Sequence, residues 1–376
     1  YAYHPDTYPL SILATYLSDG KEAPLYKVLV EQKQLTTNPY MYSQDSELAG
    51  EITIQVRGND GIDLDSISKG IQTALTSFEE NGISEKDLKR IQALQETRFY
   101  NSLNSVLGKG FQLAQYNIFA GDPGYINKDV DKMLAVTTDD VMRVYEKYIK
   151  NKNFIATSFV PKGEPELALA NSTPAEVEEE KIVEGAEETF DPSITATYER
   201  TPSSFDRTVE PPYGESPEIK VPEVWRDELE NGLGILGIEN DEVPLVNFSL
   251  TIDGGQLLEN QDLPGVVNLL AEMMTKGTAT KTPVELEQEI ELLGSYISIN
   301  AQPENITIMG TSLAKNYDKT MALVEEMILE PRWDEEEFKL AKKDASTQIE
   351  QQLSNPRSVA DNAFAKAIYG TDNILS

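Results

Sequence analysis

The spacing of apolar residues predicts one series of helices and strands that occurs twice along the chain. Apolar residues three and four positions apart predict two pairs of long helices, at 64–81 with 85–105 and at 317–329 with 335–353. Alternation of apolar and polar residues predicts strands at 51–57, 246–253 and 306–311. Ser84 and Asp334 each stand three residues before an acidic residue, so each is predicted to cap the helix that follows.

The correspondence between the two halves extends to single residues at the ends of elements. Gly20 aligns with Gly277 at the end of a predicted helix, and Pro24 aligns with Pro283 at the start of the next one. The matched segments keep their order and nearly constant spacing. We therefore predict an α+β protein with two copies of one unit, each an antiparallel sheet with helices packed on one face.

The predicted domain boundaries follow from a change in composition. The copies are predicted at 1–160 and 221–376, and the residues between them, 161–220, are rich in proline and acidic side chains. Such a composition is typical of a linker, and we expect this one to lie extended along the surface. Asn231-Gly232 predicts a hairpin at the start of the second copy.

The ends of the sequence suggest a fragment. The chain begins at Tyr1 without Met, and it stops soon after the last matched segment. We expect a piece of a longer protein, in which the first copy lacks its leading strands and the second copy is truncated at its C-terminal end.

The charge and the scarcity of metal-binding side chains narrow the possible functions. The net charge is −32, which repels phosphate backbones and anionic lipids, so neither nucleic acid nor a membrane is an expected partner. There is no Cys, which excludes disulfides and thiol catalysis. The chain has one His, and a zinc site built on imidazoles needs two or three, so this chain cannot supply one alone.

Several motifs of the second copy carry a family resemblance. The segment 229–233 is followed by a strand that ends in Asp253-Gly254-Gly255, and the next helix ends in Lys276-Gly277-Thr278. Together with Leu292-Leu293-Gly294-Ser295 before an alternating strand, they make the chain similar to the insulysin/pitrilysin family of zinc metallopeptidases, in a bacterial member. The resemblance covers both copies and leaves the linker unmatched.

The resemblance implies an architecture and a set of partners. Family members are built from four repeats in two halves that close around a peptide chamber, so this chain would hold the second repeat, the linker and the non-catalytic third repeat. Zinc is expected in the full-length parent. The implied partners are peptide substrates and the remaining repeats, in the same protein or in a partner subunit. The periplasm and the cytoplasm are both open, with the periplasm favoured.

The catalytic motif of the family is altered in this chain. The family's His-x-x-Glu-His, which places two zinc ligands and a general base on one helix, falls on Asn268, Ala271 and Glu272, and a later Glu ligand falls near Gln348. Every ligand position is therefore changed. The resemblance implies that this fragment has no catalytic residue, binds no zinc and shapes the chamber.

One alternating segment is a candidate for peptide binding. In this family the substrate adds as a strand to a sheet edge of the active repeat, and the equivalent residues here are Ser295, Tyr296, Ile297, Ser298, Ile299 and Asn300. The segment has no Lys or Pro, the residues that blunt exposed edges. The alternative is a strand paired on both sides or covered by a further repeat. Acidic surroundings would favour basic peptides.

Two other functions stay open. The chain could be a structural, non-catalytic subunit of the same fold, like the core subunits of processing and respiratory complexes, or an acidic peptide-binding module. A His-x-x-Glu-His motif upstream of Tyr1 would favour the peptidase over the structural subunit.

Overall fold

The computed structural model describes residues 1–175, 206, 208–210, 214, 218, 221–260 and 262–371. Their contacts divide the chain into one unit of Tyr1–Ala170 with Glu242–Ser376 and a second unit of Asn171–Asp241. Much of the predicted linker, including 176–205, lies outside the described residues, so its extended course and the boundaries at 160 and 220 stay predictions.

The first copy contains seven helices and one pair of strands among its described residues. The helices are α1 (Thr7–Ser18), α2 (Pro24–Tyr26, continued by a π-helical segment at Lys27–Gln32), α3 (Leu64–Asn81), α4 (Glu85–Ser102), α5 (Val106–Gln115), α6 (Ile126–Leu134) and α7 (Thr138–Tyr148). The strands are β1 (Thr36–Asp45) and β2 (Gly50–Gly58), which pair antiparallel.

The rest of the chain repeats this order after a separate hairpin. The hairpin consists of β3 (Val224–Glu228) and β4 (Gly234–Ile238), in the second unit. The second copy continues with β5 (Leu245–Asp253), α8 (Val266–Met273), α9 (Pro283–Leu292), β6 (Tyr296–Ala301), β7 (Asn305–Leu313), α10 (Tyr317–Leu329), α11 (Glu335–Ser354) and α12 (Pro356–Tyr369). None of the helices among the described residues combines the length and apolar character that crossing a membrane requires.

The predicted α+β class and the repeated order of elements are confirmed. Two helices, an antiparallel strand pair and three helices follow one another in both copies. Ser84 and Asp334 are N-caps, because each side chain accepts hydrogen bonds from backbone N–H groups of the following turn. The helix predicted to reach residue 105 ends at Ser102, because Ser105 caps the next helix instead by accepting from Gly108 N at 2.9 Å.

The sequence pattern does not predict strand β1. It contains Pro39, which has no N–H to donate and which lowers the strand signal. The structure accommodates it with an irregularity in register between Thr36 and Pro39. The Thr36 hydroxyl donates to the carbonyl oxygen of Arg57 at 2.6 Å, so a side chain supplies a hydrogen bond across the irregular end.

Each copy has its own apolar core. In the first, α1 buries Ile12, Leu13 and Leu17 against Phe78 and other residues of α3, α4 and α7. In the second, β7 is the middle strand of a β5-β7-β6 sheet, and Ile308 lies between Leu250 and Ile299. Burying one such side chain contributes about 1.5–3 kcal/mol, so these cores fix the sheet and helices that carry the site.

The two copies contact each other through α4 and α9. The Arg90 guanidinium lies 2.6 Å from the Glu291 carboxylate, and burial nevertheless raises the pKa of Glu291. The Lys315 ammonium donates to both oxygens of the buried Glu96 carboxylate at 2.9 and 2.7 Å. These two ion pairs therefore connect the first copy to the second.

Candidate functional site

A cleft of about 390 Å³ lies where α8 passes alongside β6. Its helix side is lined by Asn268, Ala271, Glu272 and Thr275. Its strand side is lined by Ile299, Asn300, Ala301 and Gln302. The structure therefore brings the altered motif and the candidate peptide-binding segment, which are distant in the sequence, into one site.

The motif positions on α8 are occupied by interactions within the chain. Asn268 Oδ1 accepts a hydrogen bond of 2.8 Å from Gln256 Nε2. Ala271 is 3% exposed and belongs to the core. The Glu272 carboxylate lies 3.3 Å from the Lys276 ammonium. An amide, a methyl group and a carboxylate paired with a lysine replace the two imidazoles and the general base.

These residues do not fit zinc. Zinc takes nitrogen, sulfur and carboxylate ligands in a tetrahedral set, and this wall of the cleft offers one carboxylate, already paired. Gln348 is exposed on α11 and is not among the residues that line the cleft. Within the described ranges, no group of three or more His, Cys, Asp or Glu side chains lies close enough together to hold a metal ion.

Strand β6 presents a free edge beside the cleft. It pairs with β7 on one side, and no other described strand pairs with it. The alternative of an interior strand is thus not found among the described residues. Tyr296 is 64% exposed and Asn300 is exposed, whereas Ile299 is buried and Ile297 packs against the core.

Ser295 differs from the other residues of the predicted segment. It precedes β6 and is buried, and its hydroxyl lies 2.6 Å from Thr320 Oγ1 and 3.1 Å from Ser312 Oγ. Its side chain is committed to this buried cluster of hydroxyls, whereas Tyr296, Ser298 and Asn300 alternate on the less buried face of the strand.

The turn after α8 is fixed by a single carboxylate. Glu326 on α10 accepts from Thr278 Oγ1 at 2.5 Å, from Lys281 Nζ at 2.5 Å and from Thr280 Oγ1. Burial alone would raise the pKa of Glu326, but these hydrogen bonds outweigh it and lower that pKa to about 2. The carboxylate thus fixes the turn that leads from α8 to α9.

Two backbone segments approach each other closely at Gln302, one of the residues that line the cleft. A Cβ at Gly255 would lie 2.1 Å from the carbonyl oxygen of Gln302, so only glycine fits there. The next residue, Gln256, donates its N–H to that same oxygen at 3.0 Å. The sequence alone does not reveal that Gln256, Thr275 and Gln302 lie at the site, although Gly254-Gly255 marks the place where the backbones meet.

Two family models match the chain. The model described as Insulinase (Peptidase family M16) matches residues 235–374, and the model described as Peptidase M16 inactive domain matches residues 1–95. The first match covers the altered motif and β6.

Curated relatives agree with these matches. The chain is 28% identical over 110 residues to the mitochondrial-processing peptidase subunit beta of Rattus norvegicus, covering 29% of this chain and 22% of the relative. It is 25% identical over 141 residues to an uncharacterized zinc protease of Rickettsia felis, covering 38% of this chain and 34% of the relative. The chain therefore spans well under half the length of these curated relatives.

Among solved structures, a peptidase M16 inactive domain from Pseudomonas fluorescens matches at 23% identity with a TM-score of 0.37 over 38% of this chain and 35% of that one. The resemblance to the insulysin/pitrilysin zinc metallopeptidases is confirmed by the family models and the curated relatives. With its first part matching the inactive domain and its last part matching the insulinase domain, the chain belongs to the insulinase family of peptidases, M16.

Proposed function

We propose that this chain is the non-catalytic portion of a zinc metallopeptidase and that it holds extended peptides along β6. The observation that carries the proposal is the cleft, in which an altered motif helix lies beside a strand edge with no partner among the described residues. In this arrangement the site retains a place for a peptide backbone and lacks the groups that would cleave it.

The free edge of β6 supplies the binding energy in this proposal. Alternate residues of an edge strand direct N–H and C=O groups outward, where an extended peptide can pair with them. Such pairing gives affinity that depends little on peptide sequence, because the bonds are made by main-chain atoms. Tyr296–Ala301 would accommodate about 20 Å of peptide, at roughly 3.3 Å per residue.

Catalysis is assigned to another part of the whole protein. Zinc-assisted hydrolysis needs a set of ligands that hold the metal and a base that takes a proton from water. Asn268, Ala271 and Glu272 supply neither the ligand set nor the base. The zinc site would lie in a repeat outside this sequence or in a partner subunit. Relatives that are named as a zinc protease and as a processing-peptidase subunit support a peptidase as the whole protein.

Peptides with methylated backbone nitrogens test the proposal without altering the protein. Two series of one peptide carry N-methyl groups at odd or at even positions, and binding is followed by fluorescence anisotropy. A peptide added as a strand directs alternate N–H groups to β6, so one series should lose affinity and the other should retain it.

The outcomes separate the candidate functions. Equal affinity of both series, or equal loss in both, would reject strand addition. No affinity for any peptide would favour the structural subunit. A matched pair of variants at Ala301 adds a check on the protein side. The Gln302 N–H donates to the carbonyl oxygen of Asn305 in β7, so by alternation the N–H of Ala301 faces away from β7. Ala301→Pro removes this outward N–H and Ala301→Ser keeps it.

A further inference from the structure

Glu272 is the single charged side chain among the residues that line the cleft. The remaining lining residues carry amides, a hydroxyl or apolar groups. The Thr275 hydroxyl donates to the backbone carbonyl oxygen of Glu272 at 2.7 Å and not to its carboxylate. The charge facing the cleft is therefore negative, at a position next to the strand edge.

Among the described residues, the Glu272 carboxylate forms an ion pair with one cation, Lys276, and an incoming cation can displace it. Lys276 Nζ lies 3.3 Å from Glu272 Oε1, and the two side chains are 32% and 35% exposed. Lys276 itself does not line the cleft. A long lysine side chain in a partly solvated pair exchanges its position easily, because such pairs contribute only about 0–1 kcal/mol.

We propose that the cleft selects peptides with a basic side chain, whose ammonium or guanidinium replaces Lys276 at Glu272. This inference rests on the proposed function, since the peptide backbone is held by β6 while one side chain enters the cleft. A guanidinium can form two parallel hydrogen bonds to a carboxylate, and the amides of Asn300 and Gln302 offer further acceptors on the opposite wall.

Lys276 acts as a tethered competitor in this arrangement. Because it is attached to the same chain, its ammonium competes with every incoming cation, but a pair worth about 0–1 kcal/mol weakens the binding of that cation by no more than about fivefold. A cation that is also positioned by main-chain pairing on β6 would overcome this competition, whereas a free cation has no such second contact. The cleft would therefore reject free lysine or arginine and accept the same side chain within a peptide.

The test compares peptides that are identical except for one central residue, which is Arg, Met or Glu. Glu272→Gln should lower the affinity for the Arg peptide about fivefold and leave the Met peptide unchanged, as the loss of one partly screened ion pair predicts. Lys276→Met should raise the affinity for the Arg peptide. Glu335→Gln is the matched control, because Glu335 forms a similar pair with Lys339 at 3.1 Å on α11.

The results separate this inference from the proposed function. If the Met peptide binds and the ratio of Arg to Met affinity is the same in the wild type and in Glu272→Gln, strand addition stands and the inference on basic side chains is overturned. If no peptide binds, both are overturned. An Arg preference that disappears in Glu272→Gln and persists in Glu335→Gln supports the inference.

Discussion

The Thr97 hydroxyl donates a 2.6 Å hydrogen bond to the carbonyl oxygen of Gly294, and this buried bond links α4 of the first copy to a residue two positions before β6 of the second. Gly294 has a φ of +61°, and a Cβ there would lie 2.7 Å from the carbonyl oxygen of Ala93. Glycine is thus required at position 294 for two reasons, its left-handed backbone conformation and the close approach of α4. The position lies directly beside the candidate peptide-binding strand.

Replacing Gly294 should loosen the contact between the copies. Gly294→Ala adds a methyl group that collides with α4, and it forces a residue with a Cβ into a left-handed backbone conformation. The two effects together should lower the free energy of unfolding by about 1–3 kcal/mol. Urea denaturation measures the change. Gly110→Ala is the control, since no atom lies within 4 Å of a Cβ placed at this helical glycine, and it should leave stability unchanged or slightly increased.

The hydrogen bond from Thr97 can be tested with two substitutions of different chemistry. Thr97→Val keeps the shape and leaves the Gly294 carbonyl without this donor, which should lower the free energy of unfolding by about 1–3 kcal/mol. Thr97→Ser keeps the hydroxyl and should lose less. Equal stability of the Val variant and the wild type in urea would show that the bond does not contribute.

The lowered pKa of Glu326 predicts a specific pH dependence. Its folded pKa of about 2 lies below the ordinary value of 4.5, so the ionised carboxylate stabilises the fold fully above pH 4.5, and this contribution is lost as the pH falls from 4.5 towards 2. Glu326→Gln should lower Tm at neutral pH, and the difference from the wild type should shrink as the pH approaches 2.

Thermal unfolding from pH 7 to pH 2 checks this prediction. Glu325→Gln, an exposed position on the same helix, should show no such convergence. A Tm difference between Glu326→Gln and the wild type that stays constant with pH would contradict the role given to the carboxylate.

The altered motif predicts that this chain neither holds zinc nor cleaves peptides. After incubation with excess zinc and dialysis, metal analysis should find well under one zinc per chain, because Asn268, Ala271 and Glu272 offer a single carboxylate. An internally quenched peptide should be hydrolysed no faster than in buffer, with or without added zinc. One tightly held zinc per chain would reject the interpretation of the motif.

The sequence predicted elements well where local rules decide them. The limits of α3 and α10 and the caps of α4 and α11 follow from apolar spacing and from side chains that accept local N–H groups. Strand β1 was missed because Pro39 contradicts the usual strand composition, and an irregularity with a hydroxyl hydrogen bond compensates for it.

The contacts between the copies could not be predicted, because they depend on pairs that are distant in the sequence. Arg90 and Glu96 lie in a helix that is rich in charges, and such residues usually face solvent, yet both are buried against partners in the second copy. The cleft could not be predicted for the same reason, because its two walls are distant in the sequence. The family resemblance placed the altered motif on the helix before Lys276-Gly277-Thr278, which is α8, but only the fold brought it to β6.

Hydrogen exchange along β6 tests the central claim most directly. Amide exchange over Tyr296–Ala301 is measured with and without a saturating concentration of an unmethylated peptide. The peptide is then recovered, and its mass is determined by mass spectrometry. We expect the outward-facing amides of β6 to exchange more slowly when peptide is bound, and we expect the peptide to be recovered intact. Unchanged exchange of β6 at saturating peptide, or a cleaved peptide, would contradict it.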